Sequence, residues 1–104
     1  MTTLTPAYPT QFTFYHPIAV RYADLDTHRH VNNISLLEYV ETARTAYYQA
    51  AGIWDGVTVE NMGMVVASVK CDYLESICFG QSVRVGLSLS YIGTKSLRFR
   101  FQVE

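Results

Sequence analysis

Two stretches near the end of the chain alternate apolar and polar residues with a period of two. In SVRVGLSLSY, Val83, Val85, Leu87, Leu89 and Tyr91 alternate with Ser82, Arg84, Gly86, Ser88 and Ser90. In SLRFRFQVE, Leu97, Phe99, Phe101 and Val103 alternate with Ser96, Arg98, Arg100 and Gln102. Successive strand side chains point to opposite faces, so the pattern predicts two half-buried antiparallel strands, joined through IGTK as a hairpin. MVVASVKCDYLE carries the same period, with Val65, Ala67, Val69, Cys71 and Tyr73 on one face, and predicts a further strand. FTFYHPIAVR, residues 12 to 21, is rich in β-formers but contains Pro17. Proline removes a ladder donor, so this strand is expected at an edge, bulged, or interrupted there.

Between these lies ISLLEYVETARTAYYQAAG, where the period changes. Leu36, Val40, Ala43, Tyr47 and Ala50 recur at intervals of three and four, with Ile34 and Leu37 widening the stripe. Glu38, Glu41, Thr42, Thr45 and Gln49 take the other side. That is the pattern of an amphipathic helix. Asn32 or Asn33 is placed to cap its start and Gly52 to end it. The order strand, long helix, meander of strands predicts an α+β domain in which a curved antiparallel sheet wraps one helix. Residues 12–104 are expected to form this single domain behind a flexible lead, MTTLTPAYPTQ, over 1–11.

Composition narrows the picture. Of 104 residues, 49% are hydrophobic and 16% charged, which supplies a core and excludes a disordered chain. So much apolar surface on a small domain predicts burial against other subunits, as a homodimer or homotetramer. A net charge of −1 with no Lys/Arg cluster argues against nucleic acid. No run reaches the ~18 apolar residues of a membrane span, and the start has no signal core, so a cytoplasmic protein is expected. Cys71 and Cys78 match no zinc spacing and read as reduced, half-buried thiols.

The chemistry concentrates in YADLDTHRHVNN, residues 22 to 33, which sets Asp24, Asp26, His28 and His30 at every second position before the helix. A metal would accept such ligands, yet ligands two apart on one extended segment converge poorly on a tetrahedral centre. No metal and no cofactor is therefore expected. A structural reading makes the aspartates turn-formers, the asparagines caps, and the histidines donors to nearby carbonyls. For Asp24, His28 and Arg29 taken singly, that reading is preferred. A functional reading treats the stretch as a unit. A carboxylate just upstream of a helix start can activate water or attack a carbonyl, while unpaired first-turn amides stabilise an oxyanion.

The same residues carry a resemblance. Tyr22, Asp24, Asp26, His30, Val31, Asn32 and Asn33, then Glu41, Ala43 and Arg44, resemble the signature of hotdog-fold acyl-CoA thioesterases related to 4-hydroxybenzoyl-CoA thioesterase. The resemblance runs from about residue 12 onward and is strongest over 20–45. It implies a hotdog fold and hydrolysis of an acyl-CoA to free CoA and a carboxylic acid. It makes Asp26 the general base or nucleophile, the Asn33 N–H the oxyanion donor, and leaves His30 either a residue that tunes Asp26 or orients water, or a purely structural one. His28, Arg29 and Val31 are expected beside the substrate. Strand 64–74 of a partner subunit is expected to line the groove. Glu41 is expected to pair with Arg44 three residues on.

Two features depart from the family pattern. Arg29 stands where the family has glycine, so a positive φ there would be strained. The chain also stops at Val103-Glu104, which predicts a sheet lacking its C-terminal strand. Both favour an alternative: a catalytically weak acyl-CoA-binding or assembly module.

Overall fold

The computed structural model describes residues 12–53 and 66–104. The expected lead over 1–11, and most of the connection after the helix, lie outside the described residues. The elements are strand β1 (Phe14–Ile18), a 3-10 turn (Tyr22–Asp24), helix α1 (Asn33–Ala50), and strands β2 (Val83–Ile92) and β3 (Leu97–Val103). All three strands pair antiparallel in the order β1-β2-β3. Among the described strands β1 is thus at an edge, the position in a sheet that tolerates a proline.

The ends of α1 follow from single residues. The Asn32 side chain accepts the Ser35 N–H at 2.8 Å, an N-cap bond. At the other end the Ile53 N–H donates to the Tyr48 carbonyl and the Gly52 N–H to that of Gln49, with Gly52 at φ 73°. These paired bonds form a Schellman turn, which glycine enters without a Cβ penalty. The helix buries Leu36, Tyr39, Val40, Ala43 and Tyr48. Its inner face is turned from the expected stripe: Ile34 is 74% exposed and Ala50 faces solvent. Two tyrosines take their places inward. Glu41 and Arg44 form no ion pair among the described residues.

The core joins this face to the sheet through Val31, Leu36, Tyr39, Val40, Ala43, Ile77, Val83, Val85 and Val103. The apolar positions Val83, Val85 and Leu87 of β2 are buried where β1 pairs with it. Beyond that strand's reach, Tyr91 and Ile92 are 53% and 69% exposed. The opposite face of β2 is covered as well. A Cβ on Gly86 would stand 2.7 Å from the Phe12 ring, and the Thr13 N–H donates to the Ser88 hydroxyl at 2.9 Å. Glycine is what lets the aromatic ring lie against the sheet.

One expected strand is corrected. Residues 66–76 form no strand, and 66–70 are exposed; Met64 and Val65 lie outside the described residues. Period-two alternation supplies a face, but a strand also needs a neighbour for its main-chain groups. None of the described strands runs beside it. No described helix is long and apolar enough to cross a membrane.

Candidate active site

Residues 24 to 32 form a narrow loop closed at its base and pinned at its tip. At the base, Leu25 bridges Val31, and the Asn32 N–H donates to the Asp24 carbonyl at 2.9 Å. At the tip, the Asp26 N–H donates to the His30 carbonyl at 2.8 Å and the Arg29 N–H to the Asp26 carbonyl at 3.0 Å. Reversing the chain within so few residues puts Arg29 at φ 63°. That left-handed geometry is the one a glycine would adopt freely.

The Asp26 side chain completes the turn. Its Oδ1 accepts the His28 N–H at 2.8 Å and the His30 N–H at 3.2 Å. These two main-chain bonds hold its carboxyl below the usual range, against a small opposing effect of burial. Oδ2 meets no donor among the described residues, which leaves one oxygen available for chemistry. The carboxylate is thus ionised, exposed and fixed by backbone rather than by a mobile side chain.

Asp24, two residues earlier, has the opposite character. It is 1% exposed. Its Oδ1 accepts from Arg21 Nη2 at 2.7 Å and Nε at 3.1 Å, and its Oδ2 from the Arg21 N–H at 2.9 Å. The Tyr39 hydroxyl donates to the same Oδ2 at 2.5 Å. Burial pushes Asp24 upward, but the hydrogen bonds from Arg21 and Tyr39 outweigh it, leaving the carboxyl below its ordinary value. Burial, then the Asp24 carboxylate, pushes the Tyr39 phenol well above its ordinary value. Sequence reasoning passed over Tyr39; its position one turn beyond Leu36 in the apolar stripe was the signal present.

A second segment is held against the loop. The Val31 N–H donates to the Ile77 carbonyl at 2.8 Å, and His30 bridges Cys78. Between loop and segment lies an open hollow lined by Tyr22, Leu25, Asp26, His28, Arg29, His30, Cys78 and Phe79. Tyr22 and Phe79 meet edge-to-face at 6.2 Å and are 79% and 57% exposed. Cys78, expected half-buried, is an exposed free thiol in this wall.

The hollow brings together Asp26, His28, Arg29 and His30. Neither imidazole is hydrogen-bonded to a described residue. Asn33 is the first residue of α1 and its N–H meets no described acceptor, but it does not line the hollow. Val31, expected beside the substrate, is instead 5% exposed within the core. Its alternation partner His30 takes the outward side, as an extended segment requires. Tyr22, Leu25, Phe79 and Cys78 are the lining residues the sequence reading did not place here. The last two lie far along the chain from the loop and had no local signal.

The chain belongs to the thioesterase-like superfamily, whose sequence model matches residues 20–104. The uncharacterized protein YsmA of Bacillus subtilis (strain 168) is 30% identical over 94 residues, covering 88% of this chain and 61% of YsmA. The chain therefore spans less than two thirds of that curated relative. Among solved structures, a thioesterase from Thermus thermophilus complexed with coenzyme A and Zn matches with TM-score 0.78 and 39% identity, over 88% of this chain and 71% of that one. The PA5185 protein of Pseudomonas aeruginosa strain PAO1 matches with TM-score 0.79 and 27% identity, over 90% and 65%. With one long helix against a curled antiparallel sheet, the fold is the hotdog fold.

Proposed function

We propose that the protein is an acyl-CoA thioesterase that hydrolyses a thioester to free CoA and a carboxylic acid, with Asp26 as the reacting carboxylate. The observation that carries this reading is the state of Asp26 in a chain of this superfamily. It is ionised, exposed in an open hollow, and held by two main-chain N–H groups through one oxygen while the other stays available. Coenzyme A enters the reading from the Thermus thioesterase solved with that molecule.

Two routes balance. In one, Asp26 takes a proton from water, the oxygen attacks the thioester carbon, and collapse of the tetrahedral intermediate breaks the C–S bond. The proton then goes to the departing thiolate. In the other, Asp26 Oδ2 attacks the carbonyl directly, the thiolate leaves, and water hydrolyses the mixed anhydride. A carboxyl held low is a weak general base, since proton transfer is most effective from a group whose pKa lies near the working pH. The same lowering weakens the carboxylate as a nucleophile, so the two routes stand level on this ground. The Asn33 N–H at the start of α1 does not line the hollow, so it would stabilise the oxyanion in either route only for a substrate whose carbonyl reaches past the hollow to the helix start. His30 would orient water, and His28 and Arg29 would flank the substrate. The Thermus structure also contains zinc; among the described residues of this chain no three His, Cys, Asp or Glu side chains converge as a metal would require, so no step is routed through one.

The test is free-thiol release from short, long and aromatic acyl-CoAs. Turnover is expected to survive chelator and to fall by about 10²- to 10⁴-fold in Asp26→Asn. Turnover untouched by that substitution would remove Asp26 from the mechanism. A second reading, acyl-CoA binding without efficient turnover, draws on Arg29: its left-handed backbone carries a bulky side chain at the rim of the hollow. Binding without consumption would raise the melting temperature, since ligand at ~100 times its Kd stabilises by about 2.7 kcal/mol.

A further inference from the structure

Asp24 is a buried carboxylate whose ion pair does not explain itself as a source of stability. Asp24 is buried while the Arg21 side chain is 67% exposed, so solvent screens the pair and the desolvation of the carboxylate offsets what attraction remains. What this one does is join three parts of the chain. Its side chain takes donors from Arg21 before the loop and from Tyr39 on the helix. Its own carbonyl receives the N–H of Asn32, the helix cap. Asp26 is two residues downstream of it and Asn33 is next to Asn32, so both hang from one anchored residue.

We propose that Arg21, Asp24 and Tyr39 form a positioning clasp that sets where the Asp26 carboxylate and the start of α1 stand relative to each other. The inference rests on the role given to Asp26 above and extends it to three residues that do not line the hollow. Tyr39 is the lever. It lies in the second turn of α1, is 5% exposed, and grips the loop with a hydroxyl while its ring belongs to the core. With the grip released, the 24–32 loop loses its tie to the helix interior. The His28 and His30 N–H bonds to Asp26, which depend on the tightness of that loop, then lengthen. The groups facing Asp26 itself, Tyr22, His28, Arg29, His30 and Cys78, remain in every variant below. So does Glu38, whose charge acts on Arg21 and Tyr39.

The experiment follows the Asp26 carboxyl directly, by ¹³C NMR titration of the full chain with labelled aspartate. Wild type is compared with Tyr39→Phe, which keeps the ring, and Arg21→Gln, which acts from the solvent side if the first variant fails to fold. Val40→Ala serves as a control that loosens the same helix face without touching the clasp. The Asp26 midpoint is expected to rise by about half a pH unit or more in both clasp variants and to stay put in the control. In thioester hydrolysis, Tyr39→Phe is expected to lower kcat about tenfold with KM little changed, as for a residue acting on the transition state alone. An Asp26 midpoint unmoved in both clasp variants, or moved equally by Val40→Ala, overturns the proposal. If wild type hydrolyses no acyl-CoA, the thioesterase reading fails while the titration still decides the clasp.

Discussion

Arg29 and Asp24 show how much single residues decide in this molecule. A non-glycine side chain at φ 63° carries a backbone cost of roughly 1–2 kcal/mol. Arg29→Gly is therefore expected to stabilise the fold by about 1 kcal/mol, less what glycine's added freedom in the unfolded chain takes back. In a domain of this size that is a rise of roughly 4–8 °C in melting temperature per kcal/mol; an unchanged or lower melt would show that the loop does not store strain there. Asp24 lends itself to a pH test. Its carboxyl is held below the ordinary value of 3.8, so its stabilisation is complete above that value and is lost as pH falls beneath it toward the folded-state value. Asp24→Asn is expected to cost about 2 kcal/mol at neutral pH, as hydrogen bonds to a charged group do, and to flatten the acid limb of a melting-temperature profile. Tyr39 works in the other direction. With its phenol raised, stability is present below pH ~10 and declines as pH climbs toward the folded-state value.

At the scale of elements, α1 and the β2–β3 hairpin were legible because their signals are local. Asn32, the apolar recurrence through Leu36, Val40 and Ala43, and Gly52 mark a helix from its cap to its stop, and the structure honours each. Asn32→Ala is expected to cost about 1 kcal/mol, measured by chemical denaturation. The limits were equally local. Tyr39 and Tyr48 count as either surface or core by periodicity, because a tyrosine carries an apolar ring and a polar tip. The 66–76 segment alternates like a strand yet pairs with none described, since ladder partners come from elsewhere in the chain. Gly86 reads as a weak point in a strand; the structure makes it the seat of the Phe12 ring. Gly86→Ala should force that ring off the sheet and destabilise by about 1–3 kcal/mol, and an unchanged denaturation midpoint would mean that Phe12 relocates without penalty.

For the whole molecule, the pattern of exposure is informative. Val66, Val69, Tyr73 and Leu74 are 40% to 52% exposed along one extended segment, and Tyr91, Ile92 and Leu97 are exposed at the far end of the hairpin. Large apolar side chains left exposed in number mark candidate interaction surfaces. The homodimer or homotetramer proposed from composition predicts a solution mass at least twice that of the 104-residue chain by light scattering at micromolar concentration. A monodisperse monomer would leave those residues to some other contact. The site's own construction is also a whole-molecule property, because its walls come from residues 22–30 and 78–79, far apart in the chain and joined by the His30–Cys78 bridge.

The sequence by itself determined the helix with both its ends, the hairpin, a first strand irregular or marginal at Pro17, and the run from Tyr22 to Asn33 in which the candidate chemistry concentrates. Each of these depends on residues within a few positions of one another, where spacing and side-chain chemistry suffice. Only the tertiary structure decided that Asp24 is a buried anchor and Asp26 an exposed carboxylate, that Val31 belongs to the core, and that Cys78 and Phe79 complete the hollow. Two aspartates two positions apart look alike in a sequence. Which one meets Tyr39 and which one meets water depends on how the 3-10 turn ending at Asp24 packs against α1, whose Tyr39 is 15 positions further on, and that is a tertiary contact no local spacing encodes.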